Sequence, residues 1–163
     1  MPKFETVADG LRFPEGPVAM PDGSVILTET ANGRITRVGP DGLKEIVAEP
    51  GGGPNGLAIG PDGELYCCNN GGFEYSETGG YLAPVGIASD YSGGRIERID
   101  LATGKVEILY QSGDFGCTLR GPNDIVFDAH GGFWFTDHGK VDYAKRCHDI
   151  VGIFYAKADG SFL

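Results

Sequence analysis

Apolar residues in this chain come in short runs separated by turn residues, and no stretch repeats them with the period of a helix. Runs at 17–20 and 24–28 flank a Pro-Asp-Gly turn at 21–23, where proline fixes φ and glycine tolerates a positive φ. Two further runs, at 34–38 and 43–48, flank a Gly-Pro-Asp-Gly turn. The pattern predicts four successive antiparallel strands, which is the size of one β-propeller blade.

The same alternation of short strands and turns returns twice. The later predicted strands are at 57–59, 64–68, 94–100, 105–110, 125–128, 132–136 and 152–156. Residues 69–93, rich in glycine, tyrosine and serine, interrupt the second set, and we expect them to form an inserted loop. Its aromatic residues Phe73, Tyr75, Tyr81 and Tyr91 would suit a lid or binding loop, as long loops often are. An inert insertion is an equal alternative.

A short motif precedes the first predicted strand of each set. It reads Pro14-Glu15-Gly16-Pro17, then Pro54-Asn55-Gly56, then Pro122-Asn123-Asp124. A repeat of this kind predicts a stacked or radial β-architecture. We therefore predict an all-β propeller in one partial domain, 1–163, with blade units at about 12–50, 51–110 and 119–163.

Such a domain would hold roughly the first two and a half to three blades, whereas propellers have about four to eight. Three incomplete blades cannot close a ring, and an open ring leaves an unpaired strand edge. We therefore expect either a piece of a longer protein or a half-propeller that associates with a second copy through that edge.

Composition agrees with an all-β fold and limits the ligands. The 28 glycines and 10 prolines stand at turns, which favours many short turns over disorder. A net charge of −10 argues against nucleic-acid binding, because no basic stripe is available to neutralise phosphates. It suits ligands that are neutral, cationic or delivered through a bound metal. With no signal-peptide pattern and no apolar stretch long enough to span a bilayer, we expect a cytoplasmic protein without a membrane partner.

The four cysteines match neither a zinc-binding spacing nor a secreted disulfide framework. We expect Cys67, Cys68, Cys117 and Cys147 to be buried or half-buried free thiols. Cys67 and Cys68 are neighbours in one predicted strand, so their side chains should point to opposite faces of the sheet.

The variable position of the motif carries the candidate chemistry. In a propeller the first strands of the blades surround a central tunnel, so Glu15, Asn55 and Asn123 should converge at its mouth. Carboxylate and amide oxygens are hard ligands that suit Ca²⁺, Mg²⁺ or Mn²⁺. A single asparagine here would more simply be a turn residue, but three positions in register favour a site.

These motifs resemble the SMP-30/gluconolactonase/luciferin-regenerating-enzyme-like family, six-bladed propellers that hydrolyse sugar lactones and related esters with one divalent metal in the tunnel. The resemblance covers essentially the whole chain. It implies that Glu15 is the first metal ligand and that Asn123 lies beside the metal as a ligand or substrate contact. Asn55 is expected only as a substrate-binding contact in the pocket. Ca²⁺ is the expected ion, with Mg²⁺, Mn²⁺ and Zn²⁺ as alternatives.

The resemblance is to the N-terminal half of the family. The family's remaining ligands, an asparagine and an aspartate that is also the general base, are expected beyond Leu163 and are not in this chain. Arg120 could bind a substrate hydroxyl or carboxylate through its planar guanidinium, or form a salt bridge with an acidic neighbour at the rim. His138 is a candidate substrate contact or proton carrier at the tunnel.

Two functions of different classes follow. The first is a metal-dependent hydrolase of sugar lactones or related esters, with a small-molecule substrate. The second is a non-catalytic propeller that serves as a binding scaffold, with a structural metal or none. The fold alone does not separate them, because propellers host many functions.

Overall fold

The computed structural model describes residues 4–142, 145–149 and 152–163, which form three sheets of three or four strands and two short hairpins. The strands of the first sheet are β1 (Pro14–Ala19), β2 (Val25–Glu29), β3 (Arg34–Val38) and β4 (Lys44–Ala48). They pair antiparallel in chain order, so the predicted four-stranded meander is confirmed. The Pro-Asp-Gly turn closes with the Asp22 carboxylate accepting hydrogen bonds from the main-chain N–H and hydroxyl of Ser24.

The next six strands form a second sheet and a hairpin. They are β5 (Pro54–Ile59), β6 (Leu65–Asn69), β7 (Phe73–Thr78), β8 (Tyr81–Ile87), β9 (Arg95–Ile99) and β10 (Val106–Gln111). The sheet has the order β5-β6-β9-β10, and β7 and β8 form a separate two-stranded sheet. The expectation that 69–93 is a loop is therefore wrong for most of its length. Gly79 and Gly80 both have positive φ, the conformation that a two-residue hairpin turn requires.

The third sheet again starts at a motif. The remaining strands are β11 (Pro122–Phe127), β12 (Gly132–Asp137), β13 (Val141–Asp142), β14 (Cys147–His148) and β15 (Gly152–Lys157). The sheet has the order β11-β12-β15, and β13 and β14 pair as a short hairpin that contacts β8. Among the described residues, no helix is long and apolar enough to cross a membrane.

Two hydrophobic clusters lie between neighbouring sheets. One joins the first and second sheets through residues such as Ile26 and Cys67, and the other joins the second and third through residues such as Cys68 and Phe133. The opposite orientation of Cys67 and Cys68 is thus confirmed, and both are fully buried free thiols. Burial raises the pKa of each thiol well above its usual range, so neither is a reactive thiolate. Cys147 is exposed, contrary to the expectation of at least partial burial.

The first strands of the three sheets lie side by side. β5 contacts β1 on one side and β11 on the other, so the motifs are adjacent in space although distant in sequence. This is the radial arrangement that the repeated motif predicts. The blade boundaries proposed from the sequence stay a prediction.

Candidate functional site

Glu15, Asn55 and Asn123 line one cavity of about 250 Å³ where β1, β5 and β11 meet. The full lining is Glu15, Gly16, Pro17, Asn55, Gly56, Leu57, Asn123 and Asp124. Asn55 is buried, Asn123 is half-buried and Glu15 is exposed. The structure therefore brings the three variable motif positions together, and Asp124 joins them.

The motif residues lie inside the first strands, not before them as the apolar pattern suggested. In each sheet the pairing with the second strand shifts by one residue at the motif, between Glu15 and Val18, Pro54 and Leu57, and Pro122 and Ile125. Such a one-residue bulge bends a strand and re-aims its side chains. The sequence pattern missed the start of each strand because the bulge breaks the alternation.

Glycines and a buried threonine hold the three motifs close together. A Cβ on Gly16 would collide with the main-chain carbonyl oxygen of Asn55, and one on Gly56 would lie 2.5 Å from the main-chain oxygen of the third motif's asparagine. The hydroxyl of Thr28, fully buried, points at the main-chain oxygens of both Glu15 (3.1 Å) and Asn55 (2.9 Å). Neighbouring first strands thus approach more closely than residues with side chains would allow.

A second set of polar residues binds the main chain just before each motif. Glu29, Asn69 and Asp137 each end a second strand, and each is at most 3% exposed. Their side chains accept a hydrogen bond from a main-chain N–H one or two residues before the motif, at 3.0, 2.9 and 2.7 Å respectively. We call these three residues the anchors. They fix the backbone from which the cavity side chains project.

The anchors differ in charge because their donors differ. Asp137 accepts three main-chain N–H groups, and Glu29 accepts the hydroxyl of Thr36 and the guanidinium of Arg34 in addition to a main-chain N–H. Burial raises the pKa of Glu29, but these hydrogen bonds outweigh it and leave that pKa below its usual value. Asn69 instead donates to the buried carboxylate of Glu97, so an amide is needed there.

The cavity side chains, in contrast to the anchors, are free to bind something else. Glu15, Asn55 and Asn123 make no side-chain hydrogen bond to the residues that the structure describes. One carboxylate, two amides and the nearby Asp124 carboxylate are the oxygen donors that Ca²⁺, Mg²⁺ and Mn²⁺ accept. Within the described ranges no three His, Cys, Asp or Glu side chains form a metal cluster. The donor set fits a divalent cation, with part of the ligand shell supplied by amides or by other groups.

A larger cavity, of about 480 Å³, lies between Glu49 and the β9–β10 pair. Its charged residues are Glu49, Arg95 and Glu97, and the last two are bonded to each other, Nε to Oε1 at 2.6 Å. None of the repeated motif residues lines this larger cavity, so we place the candidate site at the motifs.

Arg120 does not line the motif cavity. Its Nε lies 2.9 Å from Oδ2 of Asp149, and its guanidinium lies 5.5 Å from the centre of the Tyr91 ring. The salt bridge with Asp149 raises the pKa of Arg120. The structure thus forms the acidic-neighbour contact that the sequence left open, and a substrate role for Arg120 stays a prediction.

His138 also stands outside the cavity lining and packs on the inserted hairpin. Its ring stacks on Phe73, with centroids 6.1 Å apart and planes 10° apart. Burial, and then the charge of Lys140, lower the pKa of His138. It is therefore poised as a neutral imidazole beside the hairpin, and its role as substrate contact or proton carrier stays a prediction.

Lys140 is a buried charge that the sequence did not reveal. Its Nζ lies 2.8 Å from the main-chain oxygen of Gly72, 3.2 Å from Oδ1 of Asn70 and 3.6 Å from the centre of the Phe73 ring. Burial, opposed by the charges of nearby carboxylates, lowers its pKa to about 7. A lysine after a glycine normally suggests an exposed turn, so nothing in the sequence pattern marks it.

The anchors, in contrast to Lys140, can be recognised in the sequence by their spacing from the motifs. Each lies fourteen positions after the variable motif residue, as Glu29 does after Glu15, and each is polar at the end of an otherwise apolar strand. A polar residue at a fixed offset from every copy of a motif indicates a structural partner of that motif. Asp137 also accepts the main-chain N–H of Gly139 in the turn that follows β12.

Comparison with known proteins identifies both fold and family. Residues 13–161 match the family model described as the SMP-30/Gluconolactonase/LRE-like region. No curated protein matches the chain in sequence. A candidate gluconolactonase from structural genomics is 23% identical with a TM-score of 0.67, covering 98% of this chain and 50% of that one. A gluconolactonase from Xanthomonas campestris is 21% identical with a TM-score of 0.68, covering 96% of this chain and 48% of that one.

An aldose sugar dehydrogenase from Streptomyces coelicolor, solved with PQQ bound, is similar to the same degree. It is 22% identical with a TM-score of 0.63, and 96% of this chain covers 48% of that one. Identities this low show the fold alone, which confirms the propeller class. The chain spans about half the length of these three structures.

Proposed function

The chain belongs to the SMP-30/gluconolactonase/LRE-like family, and on that basis we propose that it contributes Glu15 and Asn123 to the metal site of a hydrolase of sugar lactones or related esters. The observation that carries the proposal is the cavity itself. Three polar side chains from three repeats face one space and have no hydrogen-bond partner among the described residues. Oxygen donors that converge on one space and are not used by the protein are available to coordinate a cation or to contact a ligand.

Each residue has a distinct part in this proposal. Glu15 supplies the negative charge that a divalent cation needs, and Asn123 supplies a neutral oxygen from the third repeat. Asn55, the most buried of the three, is a directional contact for a substrate oxygen. A divalent cation held there would polarise a lactone carbonyl and stabilise the oxyanion that develops during attack by water. We expect Ca²⁺, with Mg²⁺, Mn²⁺ or Zn²⁺ as alternatives.

The remaining ligands and the general base are proposed to come from blades outside this chain. An exposed apolar face on the third sheet supports this, since Val126, Trp134 and Ile153 are each about half or more exposed. Such a face suits packing against a further blade or against a second copy of the chain. The cytoplasmic location and the absence of nucleic-acid and membrane partners remain predictions from the sequence.

The test is Glu15→Gln in the intact protein, which removes the charge and keeps the shape. We expect Ca²⁺ binding, measured by calorimetry, and hydrolysis of D-glucono-1,5-lactone, measured by acid release, to fall together. Glu45→Gln on the exposed strand β4 is the matched control and should change neither. If lactone hydrolysis is absent from the wild-type protein, or survives Glu15→Gln unchanged, the scaffold alternative replaces the enzyme.

A further inference from the structure

The first motif differs from the other two in its backbone. In the second and third motifs the anchor accepts a hydrogen bond from the N–H of the glycine directly before the proline, Gly53 or Gly121. In the first motif this bond comes from Arg12, one residue earlier, and Phe13 lies between it and the proline. Phe13 has a φ of 57°, in the left-handed region that favours glycine. The difference thus falls at the motif whose variable position is a carboxylate, Glu15.

A phenylalanine with this φ in front of a proline is strained. The left-handed conformation brings the Cβ close to the following carbonyl oxygen, and a proline favours an extended conformation for the residue before it. Main-chain hydrogen bonds help to hold the strained segment, because the carbonyl oxygen of Phe13 accepts the N–H of Thr30 at 3.1 Å and that of Arg12 accepts the N–H of Ala31 at 3.3 Å. Strain of this kind persists only where the surroundings fix it, and it is concentrated at functional sites.

The inserted hairpin supplies a side-chain contact to the strained residue. The ring of Tyr75, on β7, packs on the ring of Phe13 with centroids 5.3 Å apart and planes 56° apart, a separation typical of favourable aromatic pairs. Oε2 of Glu77 also lies 2.7 Å from a terminal nitrogen of Arg12, but these side chains are 53% and 45% exposed, so their salt bridge contributes little. The aromatic pair is therefore the stronger of these two links between the hairpin and the first motif.

The hairpin is itself held by the third sheet. Phe73, two residues before Tyr75, stacks on the ring of His138 with centroids 6.1 Å apart, and Nζ of Lys140 lies 3.6 Å from the centre of the Phe73 ring. The rings of Phe73 and Tyr75 contact each other edge to face, with centroids 6.3 Å apart. A continuous series of contacts thus joins the residues that follow β12 to the residue that precedes the first motif.

The backbone on both sides of Glu15 is left-handed. Gly16 has a φ of 54°, which a glycine adopts without strain, so the strained member of the pair is Phe13. We propose that Phe13 is a positioning residue of the Glu15 site: the Tyr75 ring holds its left-handed backbone, and that backbone directs the Glu15 carboxylate into the cavity. This inference rests on the proposed function, because Glu15 is the proposed metal ligand, and it gives the inserted hairpin a part in metal binding.

The test measures the Ca²⁺ affinity of the intact protein by calorimetry. In Tyr75→Ala the ring that holds Phe13 is lost, so the left-handed backbone relaxes in the metal-free protein and must be restored when Ca²⁺ binds. We expect the Ca²⁺ affinity to fall about tenfold, the ratio that corresponds to the cost of one left-handed residue with a side chain. Tyr75→Phe keeps the aromatic pair and should bind Ca²⁺ within about twofold of the wild-type protein.

A second change at Phe13 distinguishes positioning from simple packing. Because glycine adopts a positive φ without strain, Phe13→Gly should restore the Ca²⁺ affinity of Tyr75→Ala to within about threefold of the wild-type value. Loss of a packing contact alone would lower the unfolding midpoint, and removal of the second ring would restore nothing. The matched control is Phe115→Ala, since Phe115 also has a positive φ, 50°, and contacts the ring of Tyr110, but does not line the cavity. Its Ca²⁺ affinity should be unchanged.

Amide hydrogen exchange in the metal-free protein separates failure of this inference from failure of the proposed function. If the wild-type protein binds Ca²⁺ and Tyr75→Ala binds it equally well, or Phe13→Gly does not restore the lost affinity, the positioning role is overturned and the metal site stands. If the wild-type protein binds no Ca²⁺, the proposed metal site fails and exchange decides. Faster exchange of the Arg12 and Thr30 N–H groups in Tyr75→Ala, reversed by Phe13→Gly, then supports the hold of the hairpin on the motif, and equal exchange overturns it.

Discussion

Asp137→Asn is the sharpest test of how the anchors hold the site. Oδ1 of Asp137 accepts the main-chain N–H groups of Gly121 and Gly139 at 2.7 and 2.8 Å, and Oδ2 accepts that of Arg120 at 2.7 Å. All three donors point at a side chain that is 3% exposed. Asparagine has the same shape but only one acceptor oxygen, so its NH₂ group would face the Arg120 N–H.

The expected cost follows from these contacts. One buried N–H left without an acceptor costs about 1–3 kcal/mol, and the two remaining bonds lose their charged acceptor, which halves their strength. We expect the free energy of unfolding to fall by about 3 kcal/mol. Ca²⁺ affinity should fall as well, because Arg120 and Gly121 lead directly into the motif of Asn123.

Urea unfolding of the intact protein measures this loss through the transition midpoint, provided that the slope with urea is unchanged. The control is Asp41→Asn, where a single exposed hydrogen bond to the Leu43 N–H at 3.1 Å is affected and a change within about 0.5 kcal/mol is expected. If Asp137→Asn costs no more than Asp41→Asn, the three N–H groups do not depend on the charge, and the anchor argument is wrong.

Two further predictions use other contacts of the site. Gly56→Ala should destabilise the protein by about 1–3 kcal/mol and weaken Ca²⁺ binding, because the new Cβ would lie 2.5 Å from the Asn123 main-chain oxygen. The control is Gly63→Ala, where a positive φ strains the alanine but the space around it is open. This control should lower stability and leave Ca²⁺ affinity unchanged. The pKa of Lys140 is about 7 in the folded protein, below its usual value of 10.5. Between pH 7 and pH 10.5 the unfolded state therefore binds more protons than the folded state, so the free energy of unfolding should rise with pH over this range. Urea unfolding at pH 7 and pH 9 should show a rise of up to about 2 kcal/mol that Lys140→Met removes; equal rises in both proteins would contradict the assignment.

The sequence was sufficient for the fold and for the residues that meet at the cavity. Turn chemistry is local, so the hairpin turns and strand order could be predicted from Pro-Asp-Gly sequences and short apolar runs. Radial repetition then placed Glu15, Asn55 and Asn123 together, because equivalent positions of neighbouring blades must lie side by side. No local signal distinguishes a bulged strand from a loop, so the strand starts at the motifs were missed.

Tertiary contacts explain the other failures. The segment 69–93 contains a Gly79-Gly80 hairpin signal, but its glycine content suggested a loop. Gly72 and Phe73 of that insertion contact the buried Lys140 ammonium group, and no pattern along the chain reports such a long-range contact. Arg120 was assigned to the substrate or to a salt bridge, and its acidic neighbour, Asp149, could be identified only in three dimensions.

Hydrogen-bond satisfaction separates the polar residues that build this site from those that remain available to it. In every repeat the paired strands carry two polar side chains, one at the motif and one at the anchor. The anchors are buried and use their acceptors fully, as Asp137 does with three N–H groups. The motif side chains have no such bonds, although Asn55 is only 8% exposed. Because the anchors already hold the main chain at the motifs, the oxygen donors of Glu15, Asn55 and Asn123 are left for a ligand, and for this reason we propose the cavity as a binding site.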